Sequence, residues 1–147
     1  MYAPTKILSN TQSSYTFDPI NDPCNTVYLG ERGCPQSTTT RCNLYLPDAV
    51  TFDGLVLSVL FKWNKTTYKQ FMPVYVFPKI GTDQKINIGW SVDYFMDIFN
   101  TQRYAIVEDA YDNPETDYVA VRPNHLIQFQ AIGGNWYVIA GCVQKSH

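Results

Sequence analysis

Apolar residues along this chain recur in short runs at a spacing of two or without interruption, and turn residues separate the runs. Cys42-Leu46, Leu55-Trp63, Met72-Phe77, Lys85-Trp90, Tyr104-Val107, Tyr118-Val121, Leu126-Ile132 and Trp136-Val143 read as strands. Pro47-Asp48, Asp53-Gly54, Asn64-Lys65, Gly81-Thr-Asp83, Asp112-Asn-Pro114 and Arg122-Pro123 supply the breaks. Gly133-Gly134 joins the last two runs as a tight hairpin, because glycine tolerates the positive φ angles that such a turn imposes. Leu55-Val-Leu-Ser-Val-Leu-Phe61 is apolar at nearly every position, which predicts a strand covered on both faces, either central in a sheet or at an interface. Only Ser91–Asn100 favours a helix, with Val92, Phe95, Met96 and Phe99 on one face and Ser91 as N-cap.

Upstream of these runs, residues 1–23 are polar and broken by Pro4, Pro19 and Pro23, with one short strand at Ser14-Phe17. They read as an extended arm, either a frayed terminus or a segment whose Tyr2, Ile7, Leu8, Tyr15 and Phe17, more apolar than a solvated tail needs, order against a neighbouring subunit. Asn25-Leu29 is a short strand, and Gly30–Thr40 is a loop rich in glycine and small polar residues. Residues 24–147 are then expected to form a single all-β domain, an antiparallel β-sandwich of jelly-roll-like type, since many short strands at regular spacing favour sandwiches and barrels.

Composition agrees with that class. Of 147 residues, 16% are charged and 15% aromatic, and aromatic side chains suit a half-buried pleated surface. A formal charge of −2 without a block of Lys or Arg argues against nucleic-acid binding. The N-terminal residues lack the basic start and apolar run of a signal peptide, and no stretch approaches the roughly 20 apolar residues of a membrane span, so a soluble protein is expected.

Candidate chemistry is sparse. Cys24, Cys34, Cys42 and Cys142 permit disulfides, but also buried thiols; a zinc site is disfavoured because no Cys-x-x-Cys pair occurs. His125 and His147 are the only histidines, and neither is placed like an oriented general base. No Gly-x-Ser-x-Gly, His-Glu-x-x-His or Gly-x-Gly-x-x-Gly motif occurs, so no catalytic residue, resident metal or cofactor is expected. The acidic stretch Glu108–Asp117 does not follow EF-hand order and reads as a solvated loop, with calcium binding or a glycosidase carboxylate pair as the sharper alternatives. Trp63, Trp90 and Trp136 are the candidate rings for stacking on a sugar, two of them beside turn residues. Asn64-Lys-Thr66 forms a glycosylation triplet.

Tyr45-Leu-Pro47, Phe52-Asp-Gly54-Leu-Val-Leu-Ser-Val59, the glycine turn before Ile86-Asn-Ile88, and Leu126 to Ile139 with its Gly-Gly-Asn-Trp-Tyr resemble a pattern in small β domains of viral structural proteins. Such domains occur in fibres and capsid-associated proteins of large double-stranded DNA viruses. The match runs from Leu44 to Ile139. It implies a virion component, in the first place a minor capsid or capsid-surface protein whose partners are other capsid subunits, copies of itself or the major shell protein. A fibre-head-like module that binds a host glycan or receptor is the alternative.

Overall fold

The computed structural model describes residues 4–9, 12–30, 41–62, 74–88, 92–96, 102–106, 115–141 and 143–144. Its elements are all strands: β1 (Thr5–Leu8), β2 (Ser14–Thr16), β3 (Thr26–Leu29), β4 (Cys42–Tyr45), β5 (Val56–Phe61), β6 (Val74–Phe77) and β7 (Ile86–Asn87). They continue with β8 (Val92–Met96), β9 (Gln102–Ile106), β10 (Glu115–Thr116), β11 (Val119–Val121), β12 (His125–Ile132), β13 (Asn135–Ala140) and β14 (Val143–Gln144). A seven-stranded sheet has the order β1-β3-β5-β12-β13-β7-β10, a five-stranded sheet the order β14-β11-β6-β4-β2, and β8 pairs β9 alone.

The first six strands alternate between the two large sheets. β1, β3 and β5 lie side by side and parallel in the larger sheet, while β2, β4 and β6 do the same in the smaller one. Parallel neighbours need a crossover, and here a strand of the opposite sheet supplies it where a helix commonly would. β11 and β12 then return antiparallel to β6 and β5. Both sheets are therefore mixed, which corrects the expected purely antiparallel pairing: once each connection crosses to the other sheet, consecutive strands of one sheet run in the same direction.

One hydrophobic cluster draws on both sheets. Val27, Leu29, Leu57, Val59, Phe61, Ile127, Phe129 and Trp136 enter it from the larger sheet, and Cys42, Leu44, Val74, Val76, Val119 and Val121 from the smaller. Each set follows the two-residue alternation of a pleated strand. β5 lies between β3 and β12, as its uninterrupted apolar run predicts. On its outer face the buried Ser58 hydroxyl accepts a 3.0 Å hydrogen bond from the Gln128 amide.

The β12–β13 hairpin turns at Gly133-Gly134, with φ of 58° and 88°, the paired positive values of a type I′ turn. Trp136 follows, fully buried, with its indole N–H donating to the Pro47 carbonyl at 3.0 Å. The register shifts between Gln128 and Phe129. Gly141 has φ of 93°, and a side chain there would collide with the Leu126 and Ile127 backbone.

Two further expectations are corrected. The segment read as a helix contains β8, which pairs antiparallel with β9 from Val92↔Ile106 to Met96↔Gln102. Val, Tyr and Phe there are as well suited to a strand as to a helical face, and an adjacent strand partner decides between them. The segment read as an extended arm is folded into the body: β1 and β2 form edges of the two sheets, and Leu8, Tyr15 and Phe17 belong to the core. Those three side chains are therefore spent within the chain, whereas Ile7 points outward at 72% exposure. Tyr2 lies outside the described residues.

Replacing Trp136 by Ala should cost about 3–5 kcal/mol of folding stability in denaturant unfolding, because it empties a fully buried site. Gly141→Ala should destabilise measurably although it adds one methyl group, while Ile139→Ala, at an exposed position two residues away, should be near neutral.

Candidate functional sites on the sheet faces and edge

Side chains on the outer face of the smaller sheet form an aromatic ladder. β4 and β6 put Leu44 and Val76 inward, so Tyr45, Tyr75 and Phe77 project outward by alternation. Tyr45 stands opposite Phe77 in register, and their rings stack at 5.3 Å between centroids and 28° between planes. Tyr118, one residue before β11, continues the stack on Phe77 at 5.4 Å and 29°. Tyr75 meets Tyr118 edge to face at 5.5 Å, and the Arg41 guanidinium lies 5.2 Å from the Tyr75 ring centre. The stacked rings of Tyr45, Phe77 and Tyr118 use π faces against one another.

Asn43 lies in the row beside this ladder, in register with Ser14 and Tyr75. Its amide Nδ2 donates to the Tyr45 hydroxyl at 3.4 Å, while its buried Oδ1 has no hydrogen-bond partner among the described residues.

The larger sheet carries a different outer row. Ile7, Tyr28, Leu60 and Leu126 are consecutive register partners across β1, β3, β5 and β12. Ile7 and Leu126 are exposed, while Tyr28 and Leu60 are half-buried. This row is apolar apart from the Tyr28 hydroxyl and carries no charge.

A polar clasp joins the two edge strands. Asp22 Oδ2 lies 2.8 Å from Lys6 Nζ of β1 and accepts a hydrogen bond from the Tyr15 hydroxyl of β2 at 3.0 Å. The same hydroxyl is 3.5 Å from Cys24 Sγ, and Lys6 Nζ lies 5.7 Å from the Tyr15 ring centre. Burial, followed by its bonds to Cys24 and Asp22, pushes the Tyr15 phenol well above its usual range. The hydrogen bond from Lys6, then that from Tyr15, holds the Asp22 carboxyl below the usual carboxylate range. Asp18 closes the intervening turn by accepting from the Asn21 amide and from the backbone N–H groups of Asn21 and Ile20, which lowers its pKa in turn.

These contacts place several of the candidate residues. The Cys24 thiol is free and buried, so it forms no disulfide here, and Cys42 is buried in the core. Cys34 and Cys142 lie outside the described residues, as do Trp63 and Trp90. Trp136, expected beside the turn as a ring for sugar stacking, is sealed in the core: alternation along β13 turns it inward and the Pro47 carbonyl takes its N–H. Of the acidic stretch, only Glu115–Asp117 is described, and Asp117 pairs with Lys85. His125 Nδ1 is 2.8 Å from the Pro123 carbonyl, a local turn contact. Among the described residues no cluster of three or more His, Cys, Asp or Glu side chains could hold a metal, and no helix is long and apolar enough to cross a membrane.

The aromatic ladder is not among the candidate residues that the sequence offers. A signal was present: Cys42-Asn-Leu-Tyr45 and Val74-Tyr-Val-Phe77 carry aliphatic residues on one phase of the alternation and rings on the other. No family model matches the chain, no curated protein matches it, and no solved structure matches its fold.

Asp18 and Asp22 both have lowered pKa values in the folded state, and so does Asp48, which accepts first from the Gln84 amide and then from the Val50 N–H. A carboxylate depressed on folding contributes stability above its unfolded pKa of about 3.9 and loses it as pH falls through the folded value. The thermal midpoint should therefore fall as the protein is acidified below about pH 4. Asp22→Asn should reduce the acid-sensitive part of that fall, and a midpoint unaffected by acid would contradict the assignment.

Proposed function

We propose that this protein is a non-enzymatic structural subunit of a virus particle, a minor capsid or capsid-surface component that assembles with capsid neighbours, either copies of itself or a major shell protein. The reading rests on the resemblance of Leu44–Ile139 to small β domains of viral structural proteins. What carries it beyond the resemblance is the pair of outer sheet faces, one an apolar row and the other an aromatic ladder. Tyr, Phe and Arg are the residues in which the centres of protein interfaces are enriched. A sandwich of two sheets on one core is rigid, and rigidity with two ring-bearing or apolar outer faces is what side-by-side packing in a shell requires. Of the expected jelly roll, this reading keeps the two-layer sandwich.

A carbohydrate- or receptor-binding module is the competing function. Sugar stacking needs an open ring face, and Tyr45, Phe77 and Tyr118 of the ladder are stacked face to face on one another, which favours a protein partner over a sugar.

Purified particles separated by mass should contain this chain at a fixed copy ratio to the major shell protein. Leu126→Glu, an exposed change on the larger sheet, or Tyr118→Glu on the smaller should lower incorporation several-fold while leaving the fold intact by circular dichroism. Absence of the chain from particles, together with specific binding to a glycan panel, would replace this reading with the binding-module one.

A further inference from the structure

The outward positions of β1, β3, β5, β12 and β13 on the larger sheet hold no Lys, Arg, Asp or Glu. Lys6, the one such residue in these strands, shares the inward phase of Leu8 and serves the clasp. The face is banded. Beside the apolar row runs a second row of register partners, Thr5, Thr26, Ser58 and Gln128, and Val56, Gln130 and Tyr137 form a third. Leu126 in the apolar row and Ile139 near the register shift are each 46% exposed. The Tyr28 ring leans along β3 into the space that a side chain at Gly30 would need, its Cε1 only 2.7 Å from where that Cβ would stand. The bulkiest member of the apolar row therefore lies low on the sheet. At the rim, β5 is bracketed by exposed charges of opposite sign: Asp53 before it, accepting from the Gly133 N–H of the adjoining hairpin, and Lys62 directly after it.

We infer that the outer face of the larger sheet is a two-fold interface between two copies of this chain, centred on Ser58, with the apolar row of each copy against the Val56–Gln130–Tyr137 row of the other. Three features select a second copy as the occupant. A two-fold axis lying between the sheets and crossing β5 near Ser58 reverses that strand over its duplicate, so the Lys62 end of each copy comes to the Asp53 end of the other. The middle row then meets itself, and hydroxyl and carboxamide groups are self-complementary because each both donates and accepts hydrogen bonds. Inside the rim no charge is set against its own kind, which is the usual penalty on pairing identical faces. Sheets pack face to face about 10 Å apart and about 30° from aligned, and a face on which Tyr28 lies low allows that approach.

The size of the face sets the expected strength. Five strands about 4.8 Å apart and six residues at about 3.3 Å give a patch of roughly 24 by 20 Å, on the order of 1,000 Å² for the two partners together. That lies at the low end of specific interfaces, so the pair should be reversible and dependent on protein concentration. Salt screens the exposed rim charges but not the burial of apolar area, so the pair should survive high salt.

The inference rests on the reading of this chain as an assembly subunit, and the two fail separately: particle content tests that reading, and sedimentation of the full chain over a range of concentrations tests the pairing. The expected result is a monomer–dimer equilibrium. Leu126→Glu should weaken the dimer about tenfold or more, while Ile80→Glu, at an exposed turn position off this face, leaves it unchanged. Lys62→Asp should weaken it about threefold, and combining Lys62→Asp with Asp53→Lys should restore the association, an outcome that misfolding of the single variant would not produce. A chain monomeric at every concentration overturns the inference, as does a dimer weakened by Tyr118→Glu and not by Leu126→Glu. A monomer whose Leu126→Glu variant is lost from particles assigns the face to an unlike subunit, which overturns the pairing and leaves the structural role standing.

Discussion

Burial of the inward side chains of β5 and β12 together with those of β4 and β6 is the interaction on which the rest of this structure depends. Leu57, Val59, Phe61, Ile127 and Phe129 on one sheet, and Leu44, Val74 and Val76 on the other, are all essentially inaccessible to water. Because strand alternation spends only every second residue on this core, the outward phase of each strand is left for other purposes. The aromatic ladder and the apolar row are both written on that second phase. Removing the common core would leave neither sheet with a reason to hold its register.

The winding follows from the same constraint. Among the first six strands, with a strand of the opposite sheet serving as each crossover, every connection between parallel neighbours also contributes to the core. Short strands and the lack of helix among the described residues are consequences of this economy. The edges β1 and β2 lie on the side of the structure where the winding begins, and the Lys6–Asp22–Tyr15 clasp ties them together. A salt-bridged lysine on an edge strand also discourages indiscriminate pairing with other chains.

Much of this was legible from the residues. The strands from Cys42 onward, the Gly133-Gly134 turn and the central place of Leu55–Phe61 follow from periodicity and turn chemistry, which are local properties. What was not legible depends on distant partners. Val92–Met96 fits either a helix or a strand until a partner strand is supplied, and residues 5–17 look like an arm until β3 and β4 offer edges to them. Trp136 illustrates the same limit: its place beside a turn suggests exposure, but it faces the core formed with the other sheet, and the partner of its buried N–H is the Pro47 carbonyl, far away in sequence. The parallel pairing is the least local feature of all, since no short segment records the direction of a strand that lies beside it only after a crossover.

The account turns on that pairing, and backbone NMR contacts test it most directly. If the chain alternates between the sheets as described, amide-to-α-proton contacts of parallel type should join Val27 to the Val59 region and Leu44 to the Val76 region. Close contacts between α-protons of those same strand pairs, the signature of antiparallel neighbours, would contradict it.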